Sequence, residues 1–203
     1  MKQKLINLIS KIQKVHEPAH AHGFTLIEMI VVIAIVGLLS TVTLTNYRDV
    51  SERISLENLA QQIAIVIRQA QVYGIGVVNA HPSYGVYFPN SSNSFILFVD
   101  RDNDGRYSGE SEDVERITLK NNNTISALSA NKISSSCLDV KNLSTVDVVF
   151  TRPNPDANFY VMVEEARFYP ADVEVTIRSA NGGYREVSIW LTGQISIGDR
   201  LCS

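Results

Sequence analysis

Residues 23–47 read GFTLIEMIVVIAIVGLLSTVTLTNY. After Glu28 no charged side chain appears until Arg48, and Met29–Leu39 reads MIVVIAIVGLL. A helix needs about 20 mostly apolar residues to cross the hydrocarbon core of a bilayer. The stretch that begins at Phe24 is long enough. A buried helix of a soluble domain would show a polar face at this length, and none is visible. Residues 24–46 are therefore expected to form a membrane helix. Lys2, Lys4, Lys11 and Lys14 lie on its N-terminal flank, which keeps that end in the cytoplasm and everything after the span outside. A secretory signal peptide would place small residues after its apolar core. Here Gly23 stands before it.

Outward from that stretch the composition is uneven. The 203 residues carry a net charge of −3, with 45% hydrophobic and 19% charged residues. That length and balance suit one packed domain with an appendage and exclude wholesale disorder. The acidic balance argues against nucleic acid as a partner, since such binders show a basic excess. Residues 1–23 carry a net +3, and residues 100–115 alone carry −5. His16, His20 and His22 sit in the leader, leaving His81 and two cysteines beyond it. That set cannot build a four-ligand Cys/His zinc site. Leu5, Leu8, Ile9, Ile12 and Val15 follow helical spacing in the leader, an amphipathic pattern suited to an anionic membrane surface.

Helical periodicity continues past the apolar run. Val50, Ile54, Leu59, Ile63, Val66, Ile67 and Ala70 form a stripe, and Gly74 and Gly76 end it. This predicts an amphipathic continuation over 47–74. Residues 75–203 read as β. Ser94–Val99 is a short apolar run. Val173, Val175 and Ile177 alternate with polar residues, as do Val187, Ile189 and Leu191. Asn181-Gly182-Gly183 between them is a hairpin signal. Tyr84–Phe88, Val114–Leu119, Val146–Phe150 and Phe159–Val163 are weaker strands. The Ser/Asn-rich stretches 90–94 and 121–136 read as loops. The expected class is α+β: a long N-terminal helix packed on an antiparallel head.

Three features could carry chemistry. Asp100-Arg101-Asp102-Asn103-Asp104-Gly105 places carboxylates at alternate positions with glycine sixth, the opening of an EF-hand-like calcium loop. The twelfth position is Ser111, flanked by Glu110 and Glu112, so the bidentate glutamate is out of place. Calcium held by Asp100, Asp102, Asp104, Glu110 and Glu112 competes with an acidic turn in water. Cys137 and Cys202 lie on the outer side, where an even count fits one disulfide or two separate thiols. His81-Pro82-Ser83 has no nucleophile elbow or Cys/His signature near it, and no phosphate-binding glycine loop exists. No enzymatic activity is expected. Trp190, opposite the apolar face of its run, fits either an exposed contact or a buried one.

Gly23-Phe24-Thr25-Leu26-Ile27-Glu28 followed by an apolar run resembles the processing signature of type IV pilins and type II secretion pseudopilins. The resemblance implies a leader over 1–23. Prepilin peptidase would cut it between Gly23 and Phe24 and methylate the new Phe24 amine. It implies that Glu28 meets the N-terminal ammonium of a neighbouring subunit. Either charge alone would be penalised in low dielectric. Leu59-Ala60, Arg68–Gln71, Tyr84–Phe88, Phe98–Asp100 and Thr192–Ile195 are similar to the GspH/FimT group. The fold implied is pilin-like. The function implied is a filament subunit, a minor pilin or pseudopilin. It would start as a single-pass inner-membrane protein with its head outside, and end in a surface or periplasmic filament. Its partners would be prepilin peptidase, other pilin subunits, the inner-membrane assembly platform and, before assembly, membrane lipid. A membrane-anchored module that captures a ligand or DNA is the alternative.

Overall fold

The computed structural model describes residues 23–76, 83–132, 139–161 and 170–198. The chain divides into two compact units, Met1–Tyr47 and Arg48–Ser203. One helix, α1 (Leu26–Ile75), runs through both.

In the first unit every described side chain from Gly23 to Thr41 is exposed. Phe24 and Leu26 are about three-quarters exposed. Among the described residues no helix is long and apolar enough to cross a membrane.

The second unit is α+β. Among the described residues ten strands follow the helix: β1 (Ser83–Pro89), β2 (Ser94–Asp100), β3 (Asp113–Thr118), β4 (Thr124–Lys132), β5 (Asp139–Lys141), β6 (Thr145–Thr151), β7 (Ala157–Val161), β8 (Pro170–Arg178), β9 (Tyr184–Trp190) and β10 (Ile195–Gly198). They form two five-stranded sheets, ordered β3-β2-β1-β6-β7 and β10-β9-β8-β4-β5. Every pairing is antiparallel. One apolar core joins the helix to both sheets. Leu56, Leu59, Ala60, Ile63, Val66, Ile67 and Ala70 meet Phe88, Phe95, Leu97 and Phe150 of the first sheet and Leu128, Val175, Ile177 and Ile189 of the second.

The helix stripe differs from the expected one at its start. Val50 and Ile54 are more than half exposed, and Leu56 takes the buried place. At 3.6 residues per turn, Ile54 lies about 160° around the helix from Leu56. At the other end α1 stops at Ile75, between Gly76 and Gly74, and Gly74 itself is closely packed. A Cβ there would run into the backbone carbonyl of Phe150. The glycine therefore permits close packing of helix on β6.

Most expected strands form. The hairpin at Asn181-Gly182-Gly183 joins β8 to β9, with Gly182 at φ +99°. The stretch 121–136 is not simply a loop, because β4 occupies Thr124–Lys132. Its alternation is hidden by a bulge. Ile125 opposes Ile177 and Ala127 opposes Thr176, so Ser126 is an extra residue. The buried positions shift from Ile125 to Leu128 and Ala130, and an even-odd pattern is lost to the eye. β5 and β10, three and four residues long, are further strands without a clear sequence signal.

The first sheet buries both faces. Val86, Phe88, Phe95, Leu97, Val148 and Phe150 face the main core. Ile96, Phe98 and Val149 form a second cluster on the other face with Tyr87, Tyr107 and Tyr160. Asp100 follows Ile96 and Phe98 at two-residue spacing, so it belongs to this second face.

Candidate functional site

Two sites emerge. At the N-terminus, Gly23 and Phe24 are exposed and precede the helix. The Glu28 N–H donates to Thr25 Oγ1 at 3.3 Å, and the Met29 N–H to the Thr25 carbonyl at 3.1 Å. Thr25 therefore caps α1, with Glu28 three residues on, as in a capping box. Glu28 is exposed in the first turn, where a carboxylate also complements the positive end of the helix dipole.

The second site is the β2–β3 connection, residues 101–112. It folds back over the second face of the first sheet. Tyr107 is the anchor: its ring lies 4.7 Å from that of Tyr87 and 5.7 Å from that of Phe98. Its hydroxyl donates to Asp113 Oδ1 at 2.6 Å, and Arg116 bridges to Asp113 Oδ2 at 2.9 Å. Burial, then the Asp113 charge, pushes the Tyr107 hydroxyl up to about 12. Gly105 sits at φ +78°, and a Cβ there would run into the Tyr160 ring. Arg106 lies over the same ring at 6.0 Å.

This folding carries carboxylates inward. Asp100 and Glu112 are buried, while Asp102 is exposed. One carboxylate oxygen from each of the three lies within 4.8 Å of the others. Glu112 is held rigidly: Arg101 N–H donates to Oε1 at 2.9 Å and Ser108 N–H to Oε2 at 2.7 Å. Asp102 Oδ1 accepts from Asp104 N–H and Oδ2 from Ser108 Oγ. Gly105 N–H donates to Asp100 Oδ2 at 3.1 Å. Asp100 Oδ1 is buried without a hydrogen-bond partner. Burial, and then the Glu112 and Asp102 charges, raise the Asp100 carboxyl against the pull of the Gly105 and Asn103 N–H groups.

Of the sequence-based candidates, Asp100, Asp102 and Glu112 come together. Asp104 and Glu110 do not join them: Asp104 Oδ1 accepts from Arg106 N–H at 2.7 Å, and exposed Glu110 opens the 3₁₀ turn Glu110–Glu112. That turn presents Glu112 inward. The leader over 1–22, His81, Cys137 and Cys202 lie outside the described residues. Trp190 is half-buried in β9.

Two further residues matter here. Tyr107 is one. The other is Asp147 on β6, opposite Tyr87 and Tyr160. It is only 6% exposed, and its Oδ1 has no hydrogen-bond partner. Burial raises its carboxyl to about 7; the Tyr107 N–H and Arg106 pull it down, and Asp104 and Glu112 push it further up. In sequence it is one polar residue alternating with valines, a pattern that reads as a solvent face.

Elsewhere Glu52 on α1 is a tie to the β8–β9 hairpin. It accepts from Ser179 Oγ, from Asn181 Nδ2 at 3.1 Å and from Gly183 N–H at 3.2 Å. These bonds, Ser179's first, lower its carboxyl.

With both sites in view, residues 18–44 match the family model described as a prokaryotic N-terminal methylation motif. The N-terminus thus carries the prepilin-type signature, that of subunits processed by prepilin peptidase. No curated protein and no solved structure matches the chain.

Proposed function

We propose that the chain is a structural subunit, a minor pilin or pseudopilin, of a type IV pilus or type II secretion-like filament. The observation that carries this is the methylation motif over 18–44, with a first stretch of α1, residues 26–41, whose described apolar side chains are exposed on all sides. Exposed Ile, Val and Leu over several turns need either lipid or other helices around them. Both are available to a subunit that waits in the inner membrane over 24–46 and then assembles. The processed Phe24 amine and Glu28 offer opposite charges for setting register between neighbours, since neither is tolerated alone among packed helices. The head has a pilin-like plan, a long helix whose second half packs on antiparallel sheets, and the loose head motifs favour the GspH/FimT group. The role is structural, not catalytic.

The test is filament recovery. Filaments sheared from cells, or immunoprecipitated with the assembly platform, are probed for this chain beside a Glu28→Ala variant. Native chain in the filament fraction, with the variant left in the membrane pool, supports the reading. Equal exclusion of both from every filament fraction overturns it.

A further inference from the structure

We infer that the β2–β3 loop is a calcium site, with Asp100, Asp102 and Glu112 as its protein ligands. The starting point is a mismatch of charge and burial. Three carboxylates bring one oxygen each within 4.8 Å of the others, and two of the three side chains are buried. Buried carboxylates at this spacing repel and lose hydration together. Hydrogen bonds from Arg101, Ser108 and Gly105 N–H groups answer part of that need. They leave the Asp100 Oδ1 unanswered: Asp100 is 1% exposed, and this oxygen has no hydrogen-bond partner. A buried, unpartnered carboxylate oxygen on a residue of the cluster is the kind of donor a cation would satisfy.

The chemistry selects the cation. The donors are all oxygen, which suits hard ions and excludes zinc or copper as the preferred guests. Calcium binds oxygens at about 2.3–2.6 Å, so two ligands on opposite sides of it stand about 4.6–5.2 Å apart, and three oxygens within 4.8 Å of one another fit inside that sphere. Magnesium demands near-octahedral order at about 2.1 Å and sheds its water reluctantly, so a loop offering three protein carboxylates suits calcium's more flexible sphere better. Exposed Asp102 leaves one side open, where water completes the shell. The alternating Asp100-x-Asp102 with Gly105 sixth matches the first half of an EF-hand loop. The twelfth-position glutamate is replaced by Glu112, one residue later, which the 3₁₀ turn Glu110–Glu112 rotates inward.

The loop is pinned to the sheet through Tyr107 and Gly105. Its ligands are therefore held in place before the ion arrives, and calcium would lock the β2–β3 edge of the head. Outside the cytoplasm, affinities of about 10⁻⁴–10⁻³ M are ordinary for such modules.

The experiment uses the full chain in detergent with terbium, a luminescent stand-in for calcium that tyrosines excite. Tyr107 is the built-in donor. Saturable terbium emission under tyrosine excitation is expected, displaced by millimolar calcium and not by equal magnesium. Asp102→Asn should weaken terbium at least about tenfold, because site affinity follows ligand charge. Trp190 emission should stay native, since Asp102 is exposed. Glu115→Gln, an exposed acid outside the cluster, should bind as the native chain does. No saturable emission up to about 10 mM metal, far above the affinity range of such sites, overturns the inference. So does magnesium displacing as well as calcium, or Asp102→Asn binding normally. The native titration decides the matter even where a variant fails to fold.

Discussion

Asp147→Asn should stabilise the head at neutral and alkaline pH, and the gain should vanish in acid. Asp147 is 6% exposed, and burial raises its carboxyl from 3.8 to about 7. In the unfolded chain the same group titrates near 3.9. Between about pH 4 and 7 the folded state therefore holds the proton more tightly than the unfolded state does. By linkage, stability then falls as pH rises through that window. A pKa difference of about three corresponds to about 4 kcal/mol at 1.36 kcal/mol per decade, an upper figure before structural relaxation. The groups around it act in both directions. Tyr107 N–H and Arg106 favour the anion, Asp104 and Glu112 oppose it, and Tyr87 is itself raised by burial and by this charge. Asparagine keeps the shape without the charge. The assay is urea unfolding of the full chain in detergent and chelator, followed by the single tryptophan, Trp190. The variant should be about 2–4 kcal/mol more stable at pH 8 and nearly equal to the native chain at pH 4. Raised Asp100 adds a slope of the same sign to both proteins, so the difference curve isolates position 147. A difference that stays flat from pH 4 to 8 would refute a buried, burdened Asp147.

Other outcomes can be checked directly. Mass spectrometry of the chain extracted from cells with prepilin peptidase should show N-methylated Phe24 as the first residue; an intact Met1 start would reject processing. Glu28→Gln should insert and be cleaved normally yet be lost from filaments about as severely as Glu28→Ala, since breaking a buried ion pair costs about 3–5 kcal/mol; normal incorporation would make Glu28 a boundary residue only. Non-reducing peptide mapping should join Cys137 to Cys202, closing a loop that contributes on the order of 4 kcal/mol in the chain-entropy model; two freely alkylated thiols in unreduced protein would reject the bond. Glu52→Ala should loosen the β8–β9 hairpin, with an effect that fades only as pH falls below the ordinary glutamate range, because the hydrogen bonds from Ser179, Asn181 and Gly183 hold the carboxyl below its usual value; an unchanged hairpin by amide exchange at pH 7 would show that the tie is dispensable.

Much of the fold was legible because it rests on periodicity. The stripe from Leu59 to Ala70 is set by a buried helix face, and the β8–β9 hairpin by Asn181-Gly182-Gly183 with alternation on both sides. The misses have local causes. Val50 and Ile54 are apolar at nearly helical spacing, but the true stripe starts at Leu56 and they lie on the far side of α1. β4 was hidden because the bulge at Ser126 moves the apolar positions from one parity to the other. Glu174 in β8 alternates as expected, yet its polar face is not a water face: Glu174 is 2% exposed and accepts from Ser129 Oγ. Alternation reports which side a residue takes, not whether that side is wet.

The acidic loop shows the same limit at a site. Its composition reads as a solvated turn, because Asp, Asn and Gly are turn residues wherever they occur. What changes the reading lies outside the motif. Ser94–Val99 is a continuous apolar run, not an alternating one, and such a run needs cover on both faces. The main core covers Phe95 and Leu97; Ile96 and Phe98 need something else. The nearest chain is the loop that follows, and Tyr107 is its one aromatic residue. Once Tyr107 closes on Tyr87 and Phe98, residues 100–112 can no longer extend into water. Asp100 is fixed by the strand and Glu112 by the 3₁₀ turn, so both carboxylates go under with the ring. A hydrophobic requirement of β2 thus forces a polar one on the loop, and the buried Asp100 Oδ1 is where the two meet.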